Sequence, residues 1–175
     1  DNLKIFNEQP FGNLKLGTTK SFTFSDSIFI FSKSDSDEDL RKVIIDCMSI
    51  LRVAFKNQIP IKGAISYGEI TVDEKKNIFF GKPIIESYLL HEELNLYGII
   101  GDHNFEGRIQ KLNSMDFFIL YLTPLKCGSI NHFLFTPSEK IREEMIKDLK
   151  ALYITVSGKP RKYIDNTITF LEQVK

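Results

Sequence analysis

The side chains able to do chemistry are few in this chain and mostly scattered. His91, His103 and His132 share no ligand spacing, and Cys47 and Cys127 stand alone. They form neither a metal site nor an acid–base pair. No Gly-x-x-x-x-Gly-Lys loop and no Gly-x-Gly-x-x-Gly turn is present to cradle a phosphate. Asp35, Asp37, Glu38 and Asp39 form an acidic run, whose simplest role is to complement the positive end of a following helix. That leaves Ser25-Asp26-Ser27, an acid between two hydroxyls, which on local grounds is a turn. Gly63 and Gly68 sit in an otherwise strand-like run. There they either let a ligand approach the backbone or mark a bulge or tight crossing.

These residues need elements to position them. Lys20 to Lys33 reads as two short strands around the Ser25–Ser27 bend, with Phe22 and Phe24 alternating and Ile28 to Phe31 continuing as a buried strand. Leu40, Val43, Ile44, Cys47, Met48, Leu51, Ala54 and Phe55 recur at three- and four-residue steps, predicting an amphipathic helix that ends near Gln58 and Pro60, with Cys47 as a buried thiol. Ile61 to Val72 reads as one long strand, turned by Asp73–Asn77 into a return strand Ile78–Phe80. A helix follows Gly81 with Pro83 in its first turn and with Ile84, Ile85, Tyr88, Leu89 and Leu96 as its apolar side. A strand at Tyr97–Ile100, a helix at Asn104–Leu112 and strands at Asp116–Leu122 and His132–Phe135 come next. Helices at Ser138–Tyr153 and Arg161–Val174 close the chain. No repeat or low-complexity linker interrupts it. The order predicts an α+β domain with helices packed on one face of a mainly antiparallel sheet.

The bulk numbers fit one such domain. The 175 residues suffice for a real core, with 42% hydrophobic and 26% charged residues. Zero formal net charge gives no global field toward nucleic acid or anionic lipid. No apolar run is long enough to span a bilayer, and two unclustered thiols suit a reducing cytoplasm.

Three segments, in order, carry a family likeness: Phe24-Ser25-Asp26-Ser27, then Ile61 to Glu69 (IKGAISYGE), then Phe80 to Leu90 (FGKPIIESYLL). Their layout resembles the catalytic domain of class III nucleotide cyclases, and the wording is closest to the bacterial pyrimidine (uridylate or cytidylate) cyclases of anti-phage defence. The tract Arg161–Thr167 is similar to theirs as well. The likeness covers roughly residues 18 to 170, and the collinear order carries more of it than any single motif.

The resemblance implies a ferredoxin-like cyclase domain over residues 1–175. It also implies conversion of UTP or CTP to the 3′,5′-cyclic monophosphate on two divalent cations, Mn²⁺ or Mg²⁺. A homodimer would feed a separate cyclic-nucleotide-sensing effector. Asp26 matches the second metal aspartate of the family, and so becomes the expected catalytic residue and metal ligand. Phe22, Ser25, Ser27, Lys62 and Tyr67 become the expected substrate-binding set. The first metal aspartate belongs on a preceding strand. Only 25 residues stand before Asp26, so that strand is expected upstream of Asp1. Phe22 and Ile78 occupy the places of the purine-reading Lys and Asp, while Ile85 and Leu89 occupy those of the Asn and Arg that steady ribose and phosphate. Those departures keep open the alternative of a non-catalytic cyclase-like domain that binds a nucleotide or a partner protein. Residue by residue, the plainer readings also stand: Lys62 as an exposed strand lysine, Tyr67 and Tyr88 as packing aromatics, Glu86 as a solvated acid.

Overall fold

The computed structural model describes residues 19–24, 26–73, 75–76, 78–112 and 117–174. The chain divides into two compact units, Asp1–Pro60 and Ile61–Lys175. The architecture is α+β.

In the first unit, β1 (Lys20–Phe24) and β2 (Ser27–Phe31) pair antiparallel, with Phe24 opposite Ser27 and two residues between them. Phe22 lies opposite Phe29, and their rings stack at 4.8 Å and 5°. β2 was expected to be buried; instead all five of its residues are half-buried. Helix α1 (Asp37–Lys56) follows. The Ser36 side chain accepts the Asp39 N–H at 3.2 Å, and Asp37, Glu38 and Asp39 occupy the first turn, where carboxylates meet the positive helix end. The acidic run is therefore a helix start. Val43, Ile44, Ile50, Leu51, Ala54 and Phe55 are buried on the face the periodicity marks. Burying a side chain of this size contributes about 1.5–3 kcal/mol. The helix stops where Gln58 turns left-handed (φ 58°), with the Gln58 N–H donating to Phe55 O and the Ile59 N–H to Ala54 O, each at 2.9 Å. Cys47 is half-buried, and desolvation, helped by the nearby Asp46 carboxylate, pushes its thiol up to about 12.

In the second unit, a four-stranded sheet runs β3 (Gly63–Ile65), β6 (Ile99–Gly101), β8 (Gly128–Phe135), β7 (Phe118–Leu125). β3 and β6 are parallel, and the other pairs are antiparallel. β4 (Thr71–Asp73) and β5 (Ile78–Phe80) form a separate hairpin. The expected long strand Ile61–Val72 is thus broken between Ile65 and Thr71. The break is enforced from outside the segment. A Cβ on Gly68 (φ 156°) would lie 2.8 Å from Pro83 Cγ, and one on Gly81 (φ 156°) would lie 2.7 Å from Glu69 O. The two glycines interlock the chain after β3 with the start of α2 (Lys82–Glu93), a fit that a continuous strand would not permit.

Helices cover both faces of the sheet, not one. On β7, Phe118 meets Phe105 of α3 (His103–Lys111), with ring centroids 5.0 Å apart. Tyr121 meets Phe170 of α5 (Lys159–Gln173), with centroids at 4.8 Å. Residues three apart on a strand point to opposite faces. Helix α4 (Glu139–Tyr153) packs on α5. The α5 side chains also complete the backbone leading into β6: Thr167 Oγ1 accepts the Tyr97 N–H at 2.8 Å, and Asn166 Nδ2 donates to Asn95 O at 2.7 Å. Leu96 is fully buried, but in this connection and not on α2. The outer part of α2 differs from expectation as well. Ile85, Tyr88 and Leu89 are more than half exposed, and α2 has no buried residue. Among the described residues no helix is long and apolar enough to cross a membrane.

Candidate functional site

The expected site residues fall in two places. Phe22, Asp26 and Ser27 belong to the β1–β2 hairpin, and Ser25 lies outside the described residues. Asp26 sits in the two-residue connection and is exposed, Ser27 is half-buried as the first residue of β2, and Phe22 is held against Phe29. The parallel ring contact fixes the hairpin register near the acid, since stacked aromatics are a strong cross-strand pair. Among the described residues no group of three or more His, Cys, Asp or Glu side chains is arranged to hold a metal ion. Asp26 supplies one carboxylate and no set around it.

Lys62 and Tyr67 bracket β3 from opposite ends and have separate partners. Lys62 Nζ donates to Glu92 O near the end of α2 at 3.4 Å and lies 5.7 Å from the centre of the Tyr163 ring. A lysine there satisfies a carbonyl at the negative end of a helix. Desolvation lowers its pKa. Glu92 opposes that shift, Lys126 adds to it, and Glu93 opposes it again. Tyr67 lies under the Arg108 guanidinium, 5.6 Å from Cζ to the ring centre. Both side chains therefore already have cation–aromatic contacts of the kind that hold a surface together.

The remaining candidates are also accounted for. Glu86 accepts from Asn104 Nδ2 at 3.2 Å and pairs with Lys82 at 3.2 Å. Tyr88 is exposed and packs on His91, with ring centres 5.3 Å apart. His132 Nδ1 lies 3.2 Å from Glu106 and His91 Nε2 3.3 Å from Glu92, so these two histidines have separate partners. Ile78, Ile85 and Leu89 are all exposed apolar side chains.

One polar centre was missed from sequence. Asp102, only 4% exposed, lies where the parallel strands β3 and β6 end together. It accepts the Phe105 N–H at 2.8 Å as the cap of α3 and accepts the Ser66 hydroxyl with its other oxygen. Its own N–H donates to Ile65 O at 2.9 Å. One carboxylate oxygen caps α3 and the other ties Ser66 to the end of β6, so both are engaged and Asp102 is a structural acid. Its cap role was readable from an Asp standing before a helix. Its bond to Ser66, 36 residues earlier, had no local signal. No family model, no curated protein and no solved structure matches this chain.

Proposed function

We propose that this chain is a ferredoxin-like, class III cyclase-type domain that converts UTP or CTP to the 3′,5′-cyclic monophosphate. The observation that carries the reading is Asp26, exposed in a two-residue connection between paired strands and followed by a long capped helix. The later segments keep the same order: β3, the β4–β5 hairpin, and then α2 starting at Gly81 with Pro83 in its first turn. In this reaction the ribose 3′-oxygen loses its proton and bonds to the α-phosphorus, and the bond from that phosphorus to the pyrophosphate oxygen breaks. Positioning and charge neutralisation supply most of such catalysis. The reading implies two divalent cations, Mn²⁺ or Mg²⁺, a homodimer and a cytoplasmic signal read by a separate effector in antiviral defence. Asp26 alone among the described acids is assigned to the cations, and the described residues do not complete a metal site around it.

A second reading is a cyclase-like domain without turnover, serving nucleotide or partner binding. It is favoured by the exposed apolar Ile85 and Leu89 at the places of the family's ribose- and phosphate-steadying residues. One assay separates the two. The protein from its full reading frame, incubated with Mn²⁺ and UTP or CTP, is expected to release pyrophosphate and a cyclic nucleotide. Asp26→Ala should lower that rate by at least about a hundredfold, the scale of losing one main electrostatic group. Nucleotide binding with no product would select the second reading. Product formation that survives Asp26→Ala would remove the assignment of Asp26.

A further inference from the structure

Besides Asp102, one carboxylate is buried among the described residues: Asp46, 7% exposed in the middle of α1. It stands three residues after Val43 and four before Ile50, on the apolar flank of the helix. An acid at such a place weakens the fold unless its oxygens are bonded. Its Oδ2 accepts the hydroxyl of Thr19, the residue just before β1 and 27 positions earlier in the chain. That bond joins the open end of the β1–β2 hairpin, where Lys20 faces Phe31, to α1. A hairpin of two strands is marginal by itself in water. The covalent link from β2 to α1 adds little support, since residues 33–36 are all exposed.

We infer that Asp46 is a positioning residue, pinning the root of the hairpin to α1 through Thr19 and thereby fixing where Asp26 stands at the tip. The ladder has five residue pairs, a lever of about 15 Å from root to tip. A turn of about 5° at the root therefore moves Asp26 by about 1.3 Å. Displacement of about 1 Å can cost about a hundredfold in rate. The stacked Phe22 and Phe29 keep the ladder itself in register, so the hairpin moves as one piece. Register and anchoring thus come from different residues. The effect on rate rests on the cyclase reading of Asp26; the anchoring does not.

Hydrogen exchange on the full chain tests the anchoring, and turnover tests its consequence. Thr19→Val keeps the shape and removes the hydroxyl. It should speed amide exchange in β1 and β2 by about tenfold while α1 stays within about twofold. Thr19→Ser, which keeps the hydroxyl, should restore slow exchange. In an Asp46→Leu background Thr19→Val should change nothing further, because the pair is already broken. No acceleration, equal acceleration in hairpin and α1, or an undiminished effect in the Asp46→Leu background would overturn the anchoring. Where the wild type forms cyclic nucleotide, Thr19→Val should lower kcat by about tenfold with the nucleotide KM within about twofold, and Thr19→Ser should restore it. A loosened hairpin with wild-type kcat would overturn the positioning of Asp26. A wild type without product would end the cyclase reading, and the exchange measurement would still decide the anchoring.

Discussion

Asp26 and Asp102 are two carboxylates in two units with opposite circumstances. Asp26 is exposed in a tight hairpin connection, while Asp102 is buried with both oxygens hydrogen-bonded, one to the start of α3 and one to Ser66 beyond β3. The difference teaches how to weigh an acid in a sequence. A buried and fully satisfied carboxylate holds structure, and removing it leaves its donors unpaired. An exposed one contributes little to folding and is available for another purpose. The same contrast extends to the chain around each. The hairpin and α1 are specified by local signals, whereas the β3–α2 region depends on contacts between distant residues.

The largest effect is expected where that dependence is sharpest. Gly81→Ala places a methyl against the Glu69 carbonyl in a backbone region that side chains disfavour, and should cost about 3 kcal/mol in urea unfolding. Gly128→Ala has a positive φ but nothing within 4 Å, and should cost clearly less. Equal losses would mean that backbone strain alone, not the interlock with Glu69, explains the broken strand. Next comes the pair of acids: Asp102→Ala should lose about 2 kcal/mol through the α3 cap and the orphaned Ser66. Asp26→Ala should stay within about 0.5 kcal/mol. A large loss at Asp26 would make it a structural turn residue and undo the comparison.

A further effect, smaller than those of Gly81 and Asp102, is a pH dependence within the first unit. The Cys47 thiol is raised to about 12 in the fold, from about 9 in the open chain. Above pH 9 the unfolded chain gives up this proton first, so folded stability falls as pH rises between the two values. Near pH 10 the loss should be about 1 kcal/mol, read as the difference between wild-type and Cys47→Ala unfolding curves, which cancels the other groups that titrate there. A difference that stays flat from pH 8 to 10 would place the thiol in contact with water.

Much of the architecture was legible because it is written locally. The helix α1, the β1–β2 and β4–β5 hairpins, and the closing helices follow from apolar spacing, caps and turn residues lying within a few positions of each other. The break after Ile65 was not legible, because Gly68 answers to Pro83 and Gly81 to Glu69. The apolar spacing of Ile85, Tyr88 and Leu89 pointed to a buried helix face that the structure leaves exposed; periodicity marks which residues share a face, not what lies opposite it. At the candidate site the sequence identified the hairpin that carries Asp26. It also grouped Lys62 with Tyr67, which the structure holds at opposite ends of β3. The Ser66–Asp102 bond joins residues on two strands that only the parallel pairing brings together.

The stitching of α5 to the connection before β6 bears on the order in which this chain matures. Tyr97 and Asn95 find their partners 70 and 71 residues later. While the chain is still being synthesised, the peptide groups leading into a central strand must wait in water until Asn166 and Thr167 leave the ribosome. A stalled or prematurely ended chain would therefore present a sheet with an open seam, the kind of surface that chaperones and proteases recognise.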